Sequence, residues 1–241
     1  MLCEAFIIAW NESETIALTI NHYKKFCDQV TIYDNHSTDN TREIAKALGC
    51  KVIRFGKPGE LSDQSYLKVK NICYRESKAK WVIVCDADEI LYHPHIKRVL
   101  RDSFRENIIN TIGWDMYSND MPKNDFLEIQ TGVYSENYSK NIIFSPKILI
   151  NFNYGCHSCS PVGTLRAHSD TFALFHYRNI GGHKRLSERH ELYRKRMSEH
   201  NRFHKLGHHY LQDERERQRN WQENYNRSTL FDPKRLETLP V

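Results

Sequence analysis

Residues 2–90 alternate short apolar runs with longer stretches that are polar on one face, and this rhythm restricts the chain to few folds. Strands are expected at 2–10, 30–33, 51–54 and 81–85, where apolar and β-branched residues cluster. Helices are expected between them, running to about Phe26, to about Leu48 before the stop signal Gly49, and over 62–77. Asn11 and Glu14 have capping-box spacing at the start of the first helix. The resulting β-α-β-α-β-α-β order, with strands apolar on both faces, is the signature of a parallel α/β sheet with right-handed crossovers.

Beyond residue 90 the rhythm fades. A helix is expected over 96–104, strands over 108–117, 126–131 and 142–150, and a loop rich in Asn, Gly, Cys and Ser over 151–163. A last strand follows at 171–177. From Lys184 the pattern is helical, with Leu186, Tyr193 and Met197 on one face, a break at Gly207 and a second helical piece to about Tyr225. Without repeats or a low-complexity linker, the reading is one domain over 1–180, in halves 1–105 and 106–180, with a basic helical extension over 181–241.

The fourth apolar run ends abruptly in Asp86-Ala87-Asp88-Glu89. Strand alternation would put Asp86 and Asp88 on one side, and Ala87 and Glu89 on the other. Two neighbouring carboxylates repel unless a cation or a hydrogen-bond network compensates them. A hard divalent metal does so with oxygen ligands and can hold substrate phosphates as well. The competing reading makes Asp88 or Glu89 the cap of the helix over 96–104.

Composition narrows the class. Hydrophobic residues make up 39% and charged residues 27%, as in a soluble globular domain. No apolar run approaches the roughly 18 residues of a membrane span, and the stretch 2–10 is broken by Glu4 and lacks a basic leader, so no signal peptide is expected. Seven cysteines, an odd number set within strand-like and helix-like runs, point to reduced thiols and a cytoplasmic setting. The net charge of +5 is concentrated in 178–235, a distribution open to nucleic acid, anionic lipid or a phosphorylated substrate.

Ligands of such sheets bind beyond the carboxyl ends of the strands, and three ends carry polar clusters: Trp10-Asn11-Glu12, Asp34-Asn35-His36 and Asp86-Ala87-Asp88. The first loop has no glycine and the chain has no G-x-x-x-x-G-K-[ST], so backbone amides are not arranged to cradle a pyrophosphate. A metal at Asp86 and Asp88 would neutralise a diphosphate instead, which points to a nucleotide-sugar enzyme.

The order of these motifs resembles the family 2 type glycosyltransferases with the GT-A fold, a Rossmann-like, mainly parallel central sheet flanked by helices. Asn11-Glu12 follows the first strand, Asp34-Asn35-His36-Ser37-Thr38-Asp39-Asn40-Thr41 is similar to that family's D-x-x-S-x-D-x-T, and Asp86-Ala87-Asp88-Glu89 is similar to its D-x-D element. Leu174-Phe175-His176-Tyr177-Arg178 before a basic helix resembles a subgroup with a carboxy-terminal H-Y motif. The resemblance spans roughly residues 2–200 and is loose over 105–165.

It implies that Trp10, Asn11 and Glu12 line the base and ribose pocket and that Asp34 bonds the nucleoside, with Lys70 near the nucleotide. Asp86 and Asp88 would hold Mn²⁺ or Mg²⁺ on the donor diphosphate with His176 as a further ligand, and an imidazole ligand favours manganese. Asp39, Asn40 and Thr41 read as caps rather than ligands. The implied reaction moves a sugar from a nucleotide-diphosphate donor, with UDP the default, to a hydroxyl of a glycan or lipid-linked acceptor, with inversion, in cell-surface polysaccharide assembly. For the base, Asp115 is the first candidate and His157 the second, followed by Asp120 and Glu136. Related sequences often carry His-Glu near His157, whereas here Ser158 follows it.

Rival readings remain at this point. Cys156, His157, Cys159, His168 and His176 include one C-x-x-C but no second, so a structural zinc is weakly specified. A nucleotidyltransferase would use the same carboxylates but wants a glycine-rich basic loop after the first strand. Acids interleave the basic tail, which speaks against nucleic acid. Leu186, Tyr193, Met197, Phe203, Leu206, Tyr210 and Trp221 beside Lys and Arg suggest peripheral contact with an anionic membrane at its inner face.

Overall fold

A computed structural model of the chain describes residues 1–232. In order, it contains β1 (Cys3–Ala9), α1 (Ile16–Lys24), β2 (Gln29–Asp34), α2 (Thr41–Ala47), β3 (Lys51–Arg54), α3 (Asp63–Ile72) and β4 (Trp81–Asp86). These are followed by β5 (Glu89–Tyr92), α4 (Ile96–Asp102), β6 (Ile108–Ile109), β7 (Thr111–Tyr117), β8 (Thr131–Tyr134), β9 (Ile143–Phe144), β10 (Leu149–Phe152), β11 (Cys159–Val162) and β12 (Phe172–Asn179). The last described elements are α5 (Gly182–Arg196), α6 (Glu199–Phe203), α7 (Glu214–Arg227) and β13 (Thr229–Leu230). The part of the basic extension beyond 232, including Arg235, lies outside the described residues.

One sheet runs β3-β2-β1-β4-β9-β6, with its first four strands parallel and β9 antiparallel to both neighbours. Strands β1 and β4 are central and almost wholly buried, which is why they read as unbroken apolar runs. Helix α1 starts later than the capping box implies. Asn11 takes a φ of 51°, its side chain bridges to Thr38, and Glu14 reaches Arg185 at 2.8 Å, so neither side chain is free to cap.

A second sheet runs β13-β8-β7-β12-β5. The acidic segment is the passage between the two sheets. Strand β4 ends at Asp86, Ala87 and Asp88 make a turn, and Glu89 opens β5. The turn breaks the alternation expected from the sequence, so Glu89 faces the same cleft as Asp86 and Asp88. Neither Asp88 nor Glu89 caps α4, which is preceded by His95.

Three expectations in the second half are corrected. Residues 126–131 do not begin as a strand, because Asp125 and Glu128 form a capping box around a short 3-10 turn at Phe126–Glu128. The run 142–150 is split by a turn in which the Ile148 N–H donates to the Ser145 carbonyl at 3.1 Å. Part of the expected loop 151–163 is the β10–β11 hairpin.

The carboxy-terminal helices are built into the body. Trp221 packs with Tyr117 and Leu186, and Phe231 sits edge-on to Tyr92, Trp114 and Phe175. Leu61 donates its N–H to the Arg196 carbonyl at 2.6 Å, and Ser198 returns one to Leu61 at 2.9 Å. Asn201 donates to the Asp63 carboxylate at 2.7 Å. Of the residues expected at a membrane, Leu186, Met197 and Trp221 are buried, and only Phe203, 82% exposed, points fully outward. No helix among the described residues is long and apolar enough to cross a membrane.

Candidate active site

A cavity of about 330 Å³ opens where β1 and β4 end, at the position ligands take in open α/β sheets. Its floor is the Asp86–Glu89 turn, one wall is β12, and α5 with the segment after α6 closes it from above. The sheet register sets the wall. His176 on β12 lies directly opposite Glu89 on β5 and Asp115 on β7. Residues in such a cross-strand row share a face, so three strands present Glu89, His176 and Asp115 side by side.

His176 Nδ1 is 2.8 Å from Asp115 Oδ1, and its Nε2 is 3.5 Å from Asp88 Oδ2. Burial opposes charge on this imidazole, but Asp88 and the hydrogen bond to Asp115 outweigh it and raise its pKa to about 10. Tyr138 stacks on the ring at 3.9 Å. That contact depends on Gly113, since a Cβ there would lie 2.5 Å from the Ser135 carbonyl oxygen and 2.5 Å from the Tyr138 carbonyl carbon. Only glycine lets the 135–138 turn lie across β7.

The other acids have partners of their own. Asp86 accepts from Lys70 at 2.7 Å, and Lys70 is kept charged by Asp86 despite complete burial. Glu89 is 2.5 Å from Lys140, and its other oxygen accepts the Asp86 N–H at 2.9 Å. Glu12 is ion-paired with Arg189 from α5. Lys70 thus compensates one oxygen of Asp86 from within the chain, and among the described residues no three His, Cys, Asp or Glu side chains form a metal-holding group. The Asp88–His176 pair would fit a shared cation that displaces the proton from His176 Nε2, since only the neutral imidazole ligates. Two ligand atoms each about 2.1 Å from one ion at right angles lie about 3 Å apart. Asp115 behind Nδ1 supplies the carboxylate–histidine support typical of such ligands. The remaining coordination positions would fall to a ligand such as a diphosphate.

Of the residues singled out in the sequence, Trp10, Glu12, Lys70, Asp86, Asp88 and His176 meet in the cavity, together with His157. Asn11, Asp34, Asp115, Asp120 and Glu136 are not on its wall. Asp34 is fully buried and accepts the Ser37 N–H at 3.1 Å. Asn11 braces Thr38, and Asp39 holds Thr41 and the Ser13 N–H. In the D-x-x-S-x-D-x-T segment, Asp34 and Asp39, with Asn11 from the first loop, thus serve nearby backbone amides behind the floor. Asp115, the first candidate for the base, is held behind His176. Trp10 is covered by the Arg196 guanidinium at 3.7 Å and by Tyr193 at 5.2 Å.

Tyr138, Arg178, Arg189, Tyr193 and Tyr210 also line the cavity, and sequence reading missed them. For Arg189, Tyr193 and Tyr210 the signal was the mixture of aromatic and basic residues in the tail, there read as membrane-facing; Arg178 stood in the H-Y motif without a role, and Tyr138 had no signal.

Residues 5–171 match the model described as Glycosyl transferase family 2. The chain belongs to that family. Its α/β fold is the expected GT-A class. Similar proteins include an uncharacterized glycosyltransferase of Rickettsia prowazekii, 42% identical over 86 residues, which is 36% of this chain and 27% of that protein. Another, from Rickettsia conorii, is 39% identical over 87 residues, 36% of this chain and 29% of that one. The match thus spans little more than a quarter of either relative. Among solved structures, Staphylococcus aureus TarS residues 1–349 superpose with a TM-score of 0.49 at 14% identity, covering 80% of this chain and 63% of that one. Glucosyl-3-phosphoglycerate synthase of Mycobacterium tuberculosis, solved with Mn²⁺, UDP and glucosyl-3-phosphoglycerate, gives 0.34 at 19%, covering 46% and 43%. At these scores neither likeness bears on donor or acceptor.

Proposed function

We propose that this family 2 member transfers a sugar from a nucleotide-diphosphate donor, UDP-linked by default, to a hydroxyl of a glycan or lipid-linked acceptor in polysaccharide assembly. The observation that carries the reading is the Asp88–His176 pair, 3.5 Å apart at the cavity floor with Asp115 behind it. Asp88 and His176 would hold Mn²⁺ or Mg²⁺. When bound, such a cation supplies Lewis-acid stabilisation of the departing diphosphate.

The chain's own groups account for the rest. Asp115 orients His176 rather than acting as base. His157, in the turn after β10, faces the cavity and packs edge-on to Tyr138 at 5.1 Å. Burial, reinforced by the charges of Lys140 and His176, lowers its pKa to about 4. Its imidazole is therefore unprotonated at neutral pH on the cavity wall, which supports it as the base. In-line attack opposite the diphosphate inverts the anomeric centre.

Thermal unfolding with UDP, GDP, CDP and ADP, each with and without Mn²⁺, tests the donor site. A nucleotide at 100 times its Kd stabilises by about 2.7 kcal/mol, which for a chain of this size is a rise in Tm of roughly 5–10 °C. The expected result is a rise with UDP that requires Mn²⁺. No shift with any nucleotide refutes the reading. His157→Ala is expected to lower kcat by about 10²–10⁴-fold with the UDP shift intact, and an unchanged kcat would remove His157 from the chemistry.

A further inference from the structure

A second cleft, of about 490 Å³, shares no residue with the active-site cavity. It forms where β5 runs out at Leu91 and Tyr92, beside the end of α1 and the start of α4. Phe26, Leu91, Tyr92, Pro94, Ile96 and Leu127 give it an apolar wall, and the exposed side chains of Lys25, Lys97, Arg98 and Arg101 give it a basic rim. Among the described residues no carboxylate lines it. Acids outside the lining answer part of the charge. Asp125 pairs with Lys25, Asp102 with Arg101 at 3.2 Å, and Asp170 lies 3.8 Å from His93. Lys97 and Arg98 have no ion-pair partner among the described residues. Exposed cations are ordinarily just solvated, so the rim alone does not make a site.

The deciding residue is His22, in the last turn of α1, which lines the cleft and is only 6% exposed. Its Nε2 lies 2.9 Å from the Leu91 carbonyl oxygen, a contact that needs the proton on Nε2. Burial, against the pull of that carbonyl, lowers the pKa of the ring to about 4. The imidazole is therefore neutral at pH 7, and Nδ1 keeps a bare lone pair. That atom is buried and has no hydrogen-bond partner among the described residues, a state in which folded proteins rarely leave an acceptor. Tyr23 and Phe26 stand edge-on to the ring at 5.2 and 5.5 Å and hold it in place.

A ligand matched to this cleft brings a hydrogen-bond donor for His22, negative charge for the rim and an apolar face for the wall. A sugar ring that carries an acidic group has all three, since a hydroxyl can donate to Nδ1 while the C–H face of the ring lies on the apolar wall. A simple anion has no such face. A nucleobase would bring several donors and acceptors to a wall that offers one acceptor. We infer that the cleft is a second saccharide site, separate from the active site, which holds an anionic sugar unit through His22 Nδ1, Lys97 and Arg98. The inference goes beyond the transfer reaction and does not depend on the donor reading above.

The test is calorimetric titration of glucose 6-phosphate and of glucuronic acid into the full chain, with glucose and inorganic phosphate as controls. At least one acidic sugar is expected to bind about tenfold tighter than either control, and the tighter of the two identifies the acid as phosphate or carboxylate. Arg98 is exposed, so Arg98→Gln removes charge without opening the core, and it should weaken that sugar about tenfold. In His22→Gln the amide nitrogen can replace Nε2 on the Leu91 carbonyl, but nothing replaces Nδ1. This variant should weaken the acidic sugar by roughly three- to tenfold and leave inorganic phosphate unchanged. Tm is the control for folding, and Arg98→Gln decides alone if His22→Gln does not fold. Failure of both acidic sugars to bind, phosphate binding as tightly as they do, or an affinity unchanged in either folded variant overturns the inference. Displacement of the sugar by UDP with Mn²⁺ would put it in the active site and overturn it too. If UDP does not bind, the donor reading falls, and the two variants still decide this one.

Discussion

Asp88→Asn is expected to reduce metal-dependent turnover by about 10³-fold or more while leaving the fold in place. The magnitude follows from the role. A carboxylate that anchors the cation on a departing diphosphate acts where charge develops, and such stabilisation is worth several kcal/mol of barrier. Asparagine keeps the shape, and the second tie of His176, to Asp115 at 2.8 Å, holds the ring where it is. Removing the Asp88 charge also removes the largest influence that keeps His176 protonated, so its pKa falls. The measurement is sugar transfer, or hydrolysis of a UDP-sugar, across a Mn²⁺ titration, with Tm as the control for folding. Turnover within tenfold of wild type at saturating Mn²⁺ would take the metal role away from Asp88. A loss of activity accompanied by a collapsed Tm would instead make the Asp88–His176 contact structural.

The contrast between Asp88 and its neighbours shows what the sequence could convey. The first ninety residues were legible because their signals are local. Central parallel strands must be apolar on both faces, as in β1 and β4, and loops must satisfy nearby amides, as Asp39 does for Thr41. The acidic cluster was legible as a site, but its geometry was not. Alternation does not hold past Asp86, where the chain turns, and the sequence leaves open whether a cation or a hydrogen-bond network compensates the carboxylates. The chain supplies much of that compensation itself, from Lys70, Lys140 and His176. Nothing about the Ser139-Lys140-Asn141 segment marks Lys140 for burial beside Glu89.

Nor can a linear pattern reveal that β12 runs between β5 and β7, the register that aligns His176 with Glu89 and Asp115. The tail was misread for a related reason. Helical spacing identifies an apolar and basic face but does not say what covers it, and here α5 turns that face onto Trp10 and Glu12.

Lys140→Met is expected to destabilise the protein by about 3–5 kcal/mol, a fall in Tm of roughly 10 °C or more for a chain of this length. Lys140 and Glu89 are each 1% exposed, so losing the ammonium strands a buried carboxylate. It also strips the Cys156 carbonyl of its 2.6 Å donor. Burial alone would raise the pKa of Glu89, but the charges of Lys140, Lys70 and His176 outweigh it and hold the value below the ordinary 4.5. In the wild type this group's contribution is full above pH 4.5 and is lost as pH falls through the lower folded value. In Lys140→Met the balance reverses. Burial then dominates, the folded carboxyl takes up a proton more readily than the unfolded one, and stability rises as pH falls. The gap in Tm between the two proteins should therefore be wide at pH 7 and narrow towards pH 4.5. Adding Glu89→Gln to Lys140→Met should recover part of the loss at pH 7, because the stranded charge is gone. Because Glu89 also accepts the Asp86 N–H, the single variant should loosen the turn that carries Asp88 and weaken the Mn²⁺ dependence of UDP binding. Equal melting of wild type and Lys140→Met at pH 7 would mean that the pair does not hold this turn.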